Sequence, residues 1–292
     1  MYLISSLLDD FLEFKKFVCS FKNNNGFKWL FLMMFLTLSS KISWCAGDVK
    51  GNKPRVSIIT SVYRGDQFIK GFMEDIVKQT IFDQCELIII NAASPDHEDE
   101  VIREYLSKYS NIIYKKLERD PGLYGVWNMA IKMARADLIT NANIDDRRNP
   151  ESIEVQAKAL DENPDLDLVF NQYAWSNIPN QIYDLSTLGC LANVPEFSPK
   201  NMWGCLPGPQ PMWRKSMHDK YGYFDESYKL VGDYEMWLRA VSKGSKFKKI
   251  AGVSGVYYAN NQGLTYNVEK AHQALHEQEN EKVICRYRYL WT

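Results

Sequence analysis

From residue 54 onward the chain switches repeatedly between short runs of β-branched residues and stretches with helical spacing. Val56-Ser57-Ile58-Ile59-Thr60-Ser61-Val62 reads as a strand. Asp66 then opens a segment whose apolar positions Phe68, Ile69, Phe72, Ile76 and Val77 recur at the period of a helix. Glu86 to Ile90 predicts a second strand, Val101 to Leu106 a second helix and Ile112-Ile113-Tyr114 a third strand. Gly125 to Ala136 predicts a helix with Trp127, Ala130, Ile131 and Ala134 on its inner face, and Asp137 to Ala142 a fourth strand. Asn149-Pro150 looks like a cap followed by a first-turn proline, opening a helix to about Glu162. Leu166 to Phe170 is a fifth strand, and Tyr234 to Val241 a further helix. Strands alternating with helices predict an α/β fold with a mostly parallel sheet flanked by helices.

The first 48 residues follow another pattern. Lys22 and Lys28 precede the uncharged apolar run Trp29 to Leu38, and small polar residues follow it. That order is the one found in signal peptides, and the run is short for a membrane-spanning helix. Phe11, Leu12, Phe14 and Phe17 suit a helix lying on a membrane surface. Residues 1–48 are therefore expected to be a signal or membrane-targeting segment outside the fold, with cytoplasmic location as the alternative. The last stretch, 266–292, begins as a polar helix; its Arg286-to-Trp291 end either touches a membrane or covers the domain.

Charge narrows the function. With 35 Lys+Arg against 36 Asp+Glu among 292 residues, the net charge is −1. A general nucleic-acid binder would carry a basic excess, so nucleic acid is not an expected partner. The six cysteines form no C-x-x-C pair, which excludes a zinc ribbon or a thioredoxin motif. Cys190 and Cys205 either bridge a loop or remain buried free thiols. His272 and His276 are spaced i, i+4 but lack the glutamate of H-E-x-x-H, which favours plain helix surface. No G-x-G-x-x-G follows the first strand and no P-loop pattern occurs, so neither a dinucleotide fold nor a P-loop NTPase is expected.

Polar residues gather where an open α/β sheet binds ligands, beyond the carboxyl ends of its strands. Ser61-Val62-Tyr63 follows the first strand, Asn91 to Ser94 the second and Asn143-Ile144-Asp145-Asp146 the fourth. Two adjacent acids at a strand end suit a hard divalent cation, which would neutralise a diphosphate leaving group. The competing reading is a solvated turn neutralised by Arg147 and Arg148.

The ordered set of segments resembles a known family. Pro54 to Tyr63 is similar to the opening "vSIItpvYN" of family-2 glycosyltransferases of the GT-A (Rossmann-like) fold, and Glu86 to Asp96 to their "EliivDdgStD". Asp120 to Asn128 resembles "D-x-G-iy-D-a-x-N", Asn143 to Asp146 falls on "D-x-D-D", and Tyr221 to Glu226 with Gly232 to Arg239 resembles "klGgFDEs…aeDyelWLR". The resemblance runs from about Pro54 to Thr265. It implies a catalytic domain at 54–265, with a nucleotide-sugar half at 54–150 and an acceptor half at 151–265, followed by a helical extension at 266–292.

What the resemblance implies is an inverting hexosyltransferase that takes a nucleoside-diphosphate sugar, UDP-type favoured, and uses a divalent cation, Mn or Mg. Asp145 and Asp146 would hold the cation. Ser61, Tyr63, Asn91, Gly122, Asn128 and Asn143 would line the donor site, with Ser61, Tyr63 and Asn91 framing the nucleobase. Asp233 would be the general base; spacing alone reads it equally as a helix cap. Gln210, Trp213 and Glu235 are acceptor-side candidates, facing a glycan or a lipid-linked acceptor; a membrane surface is the further partner considered. The segment Asn171 to Trp203 matches no motif and is expected on the acceptor side; Trp203 and Trp213 either stack on a sugar or pack in the core. Two departures stand out: Asn91 and Asn143 occupy positions where the family has aspartate, and Tyr257 to Asn261 lacks the family's late histidine, with Asn260 as its replacement. These swaps keep open a catalytically weak nucleotide- or glycan-binding relative. A nucleotidyltransferase on a similar sheet is the third reading, disfavoured by the poor phosphate loop at Ser61 to Gly65.

Overall fold

The computed structural model describes residues 53–291. The targeting segment expected at 1–48, with its apolar run, lies outside the described residues. Among the described residues no helix is long and apolar enough to cross a membrane.

Among the described residues nine strands form one sheet. In chain order they are β1 (Val56–Val62), β2 (Cys85–Asn91), β3 (Ile112–Lys116), β4 (Leu138–Asn141), β5 (Arg147–Arg148), β6 (Leu168–Ser176), β7 (Cys190–Leu191), β8 (Met212–Arg214) and β9 (Phe247–Tyr258). Spatially the order is β3-β2-β1-β4-β8-β6-β9-β5, with β7 paired to β6. The first half, β3-β2-β1-β4, is parallel throughout. The second half is mixed: β8 lies antiparallel to both β4 and β6, and β6 is parallel to β9.

Both faces of the parallel half are covered, which is why its strands read as nearly continuous apolar runs. Period-two alternation then divides the core. Val56, Ile58 and Val62 of β1 with Leu87 and Ile89 of β2 pack against α1 (Asp66–Ile76), α2 (Glu98–Leu106) and α4 (Ser152–Glu162), through Phe68, Ile69, Phe72, Ile102 and Leu160. Ile59, Ile88 and Ile90 face α3 (Leu123–Met133) and α6 (Gly232–Ser242), meeting Trp127, Ile131 and Trp237. Each such buried Ile or Leu contributes roughly 1.5–3 kcal/mol. The element order expected from the pattern is the order found. Most ends shift by up to three residues, β6 runs on to Ser176 past the expected end at Phe170, and α4 begins at Ser152 rather than beside Asn149.

Two polar devices hold the frame. At the amino ends of the strands the fully buried Glu86 accepts from Ser57 Oγ at 2.6 Å, and from the Arg135 backbone N–H (2.6 Å) and Nε (2.7 Å). No charge is left unpaired there. At the other end of the chain, α7 (Lys270–Tyr287) lies on α6, with Val283 and Tyr287 inside the core. The open question about the C-terminal stretch is thereby answered: it covers the domain. The buried Glu279 of α7 accepts the backbone N–H groups of Lys229, Leu230 and Val231, at 2.8, 2.9 and 3.3 Å. It therefore pins the loop that delivers Asp233. α5 (Met217–Tyr221) completes the helices.

Candidate active site

The carboxyl ends of β1, β2 and β4 lie side by side, since these three strands are adjacent and parallel. The loop after β1 is tied to the loop after β2. Arg64 N–H donates to Ser94 Oγ at 2.9 Å, and Gly65 N–H to the buried Glu98 at 2.6 Å. Tyr63 is 43% exposed there, with the Arg64 guanidinium 5.4 Å over its ring. Asn91, expected to contact a nucleobase, is fully buried: its Oδ1 accepts from Ser94 N–H (2.8 Å) and its amide donates to Asp99 (3.0 Å). It shapes the loop and has no free edge. The carboxylates of Asp66, Asp96 and Glu98 also come within 4.8 Å of one another between these loops.

After β4 the chain turns at Asn143 to Asp146 and enters β5, which pairs with β9. That pairing brings the far end of β9 onto the turn. Asp146 is buried and spends both oxygens, Oδ1 on Tyr258 N–H (3.0 Å) and Oδ2 on the Asn143 amide (3.0 Å). Asp145 is only partly buried, and its Oδ2 accepts from the Asn260 amide at 3.1 Å. Asn260 thus reaches the position where a late histidine was missing from the sequence. Burial raises both carboxyls above the ordinary value, Asp146 far above it with the Asp145 charge adding to the effect. Arg147 folds back on the turn, donating to the Ile144 and Asp146 carbonyls at 3.0 and 2.6 Å. Arg148 is buried beneath, taking its charge partner from Asp75. The arginines therefore support the turn from inside and do not form a solvated cap. Gly255 permits the pairing: a Cβ there would meet the Arg147 carbonyl oxygen at 2.1 Å.

In the second half of the domain, Asp233 occupies the first turn of α6, half-buried. Tyr124 Oη–H donates to its Oδ1 at 3.0 Å and the Cys205 thiol to its Oδ2 at 3.6 Å. The protein packed around the carboxyl raises it above the usual carboxylate range, against the hydrogen bonds from Tyr234 N–H, Tyr124 and Cys205 that lower it. Gly232 lets the Tyr124 ring approach; a Cβ there would lie 2.7 Å from that ring. The sequence did not point to Tyr124 or Cys205, although Tyr124 lies inside a quoted motif. Cys190 and Cys205 are both free, and both are exposed rather than buried.

Four more of the expected site residues lie in the interior. Trp213, expected on the acceptor side, lies in β8 at the centre of the sheet with no exposed surface. Its indole donates to Nε2 of His218 (2.9 Å), whose pKa burial pushes down to about 4. Glu235 is buried on the inner side of α6, bonded to Arg239 (2.9 Å) and to Tyr287 Oη–H (2.8 Å). Asn128 is buried and brackets Phe224, its amide donating to the Phe224 carbonyl (2.8 Å) and its Oδ1 accepting from Phe224 N–H (3.0 Å). Gln210 is also interior, donating to the Arg147 carbonyl at 3.2 Å. Trp203, by contrast, is 72% exposed. Ser61 is partly buried at the end of β1, and Gly122 takes a φ of 82° immediately before α3. His272 bonds the Leu264 carbonyl and His276 the Asn280 amide.

This sheet and the converging strand-end loops match known proteins. The family model for glycosyl transferase family 2 matches residues 57–220. An uncharacterized glycosyltransferase, MJ1057 of Methanocaldococcus jannaschii, is 26% identical over 82% of this chain and 85% of its own length. Among solved structures, S. aureus TarS 1-349 in complex with UDP-GlcNAc superposes with a TM-score of 0.63 at 16% identity, over 81% of this chain and 72% of that one. The mannosyltransferase PcManGT from Pyrobaculum calidifontis, in complex with GDP-Man and Mn2+, gives 0.60 at 15% identity, over 80% and 65%. The fold is that of the GT-A glycosyltransferases. The chain belongs to glycosyl transferase family 2, and it is a transferase.

Proposed function

We propose that the protein is an inverting hexosyltransferase that uses a nucleoside-diphosphate sugar, UDP-type favoured, to glycosylate a hydroxyl of a glycan or lipid-linked acceptor. The observation that carries the reading is Asp233: a carboxylate at a helix start, reachable from solvent, lifted by its surroundings and aligned by a tyrosine hydroxyl. A base with a raised pKa is better matched to taking a proton near neutral pH. In a single displacement the acceptor oxygen attacks the anomeric carbon as Asp233 takes its proton. The nucleoside diphosphate departs from the opposite face with the bonding electron pair.

The residues after β4 fit a divalent cation of Mn or Mg type. Asp145 keeps part of its carboxylate open and would be the protein ligand, with Asn143 and Asp146 orienting the turn. One carboxylate with diphosphate oxygens and water is an ordinary shell for such an ion. When bound, the cation would neutralise the departing diphosphate. Ser61, Tyr63 and the Gly122 backbone would line the donor. The neighbours solved with UDP-GlcNAc and with GDP-Man and Mn2+ support a donor of this class.

Calorimetric titration of the full-length protein with UDP, GDP, CDP and dTDP, with and without Mn²⁺, tests the reading. We expect metal-dependent binding of UDP. No binding of any of the four with metal present would replace the enzyme by a non-catalytic relative, in line with Asn91 and Asn143 standing where acids are usual.

Tyr124 is a positioning residue in this scheme. Its hydroxyl stabilises the ionised form of Asp233, so Tyr124→Phe should raise the carboxyl further. The acid limb of the kcat/KM profile then moves to higher pH, and kcat falls a few-fold, of the order of one lost hydrogen bond to a charged group. An unmoved limb would remove Tyr124 from the scheme.

A further inference from the structure

Four aromatic rings gather away from the catalytic carboxylates' own contacts. Tyr173 and Trp175 alternate along β6 and so share a face. Trp175 is in register with Tyr257 of β9. Tyr266, on the segment between β9 and α7, closes onto both. Ring centroids lie 5.9 Å apart for Tyr173–Tyr257, 6.0 Å for Trp175–Tyr257, 5.0 Å for Trp175–Tyr266 and 5.9 Å for Tyr257–Tyr266. All four residues are partly exposed. Trp175, Tyr257 and Tyr266 belong to neither hydrophobic cluster, so core packing does not account for them.

The group spans the two halves of the site. Tyr257 feels the charges of Asp145 and Asp146, and the next residue's N–H bonds Asp146. Tyr173 feels Asp146 and also Cys205, whose thiol touches Asp233. The loop before β8 closes over the Tyr173 ring at Gly208, where φ is +67° and a Cβ would come within 2.9 Å of the ring. The rings thus line the interval between the turn after β4 and the base.

We propose that Tyr173, Trp175, Tyr257 and Tyr266 form the acceptor subsite, and that the group they take is the pyranose ring of a saccharide rather than an aliphatic chain. The inference rests on the transferase reading above. Rings of this kind offer apolar faces with polar edges, three of them carrying hydroxyls. A pyranose is built the same way, with faces of C–H groups and a rim of hydroxyls. An alkyl chain would match the ring faces and offer nothing to their polar edges. The mutual tilts of 55° to 76° make a box of ring faces and edges, not one flat greasy surface.

Saturation-transfer NMR on the full-length protein, with UDP and Mn²⁺ present, tests this. The probes are the methyl glycosides of glucose, galactose, mannose and N-acetylglucosamine, with octyl phosphate as the aliphatic comparison. We expect saturation of the ring C–H protons of at least one glycoside. The signal should fall at least fivefold in Trp175→Ala and in Tyr266→Ala, and persist in Trp175→Phe. Tyr266 lies outside strands and helices, so its substitution keeps the test available if the β6 variant does not fold. Absence of signal from every glycoside, signal that survives both alanine substitutions, or signal from octyl phosphate alone would overturn the proposal. UDP titrated into the same samples separates the two readings. If UDP binds and glycosides do not, the subsite fails alone. If neither binds, both fail. Ring-dependent glycoside binding without UDP leaves the subsite standing and removes the donor reading.

Discussion

Asp233→Asn should reduce sugar transfer by about 10²- to 10⁴-fold, the usual contribution of a positioned general base. The amide keeps an oxygen for Tyr124 Oη–H at the position of Oδ1, so the local geometry survives while the proton acceptor is lost. The proposed nucleotide site lies on the other half of the sheet, so nucleotide affinity should change little. The stability sign is opposite to the activity sign. The folded-state pKa of Asp233 is raised by the protein packed around it. The protonated form is therefore the one the fold favours. Its stabilising contribution is complete below the unfolded value of about 3.9 and is lost as pH rises through the folded value. At pH 7 the ionised carboxylate opposes folding, and asparagine removes that opposition. Thermal denaturation at pH 7 should place the variant at or above the wild type, with the gap narrowing toward pH 4. Product assays within tenfold of wild type would remove Asp233 as base.

Asp145→Ala should abolish metal-dependent nucleotide binding, lowering affinity in Mn²⁺ by about 100-fold or more. Loss of groups that merely support a ligand already costs 10- to 100-fold. Asp145 is the acid of the turn with an oxygen not committed to a neighbour, since Asp146 uses both of its own. Burial raises Asp145 as well, so the substitution removes a carboxylate whose ionised form opposes folding in the absence of a cation. Calorimetry with UDP and Mn²⁺ reads the affinity, and a melting curve without metal should show no loss of stability. Equal affinity in wild type and variant would move the cation away from this turn, leaving the Asp66, Asp96 and Glu98 grouping as the next acids to replace.

The parallel half was legible because β1, β2 and β4 are buried on both faces and the helices packed on them on one. Hydrophobic period then reports structure directly. The site loops were legible for a related reason: β1, β2 and β4 run parallel, so polar residues just past their ends must converge. The misplacements have a common cause. Trp213 was open between stacking on a sugar and packing in the core; β8 inserts between β4 and β6 and carries it to the middle of the sheet, which decides for the core. Glu235 was read as an acceptor-side candidate, but Tyr287, 52 residues later, and Arg286 beside it close over it from α7. Asn91 was read as facing a base, but its amide is consumed by Ser94 and Asp99. In each case a partner distant in the chain, or a loop closing on itself, decided what the side chain was free to do.

The amino-acid pattern by itself therefore determined the family, the order of strands and helices and the turn that bears Asp145, because these depend on local period and on short motifs in sequence order. Only the tertiary structure decided which polar groups stay unspent at the site. It paired β5 with β9, which set Asn260 against Asp145. It packed α3 on α6, which aimed Tyr124 at Asp233, and it brought β6 beside β9, which assembled the four rings. Such contacts join residues 80 to more than 100 positions apart, and no local periodicity records them.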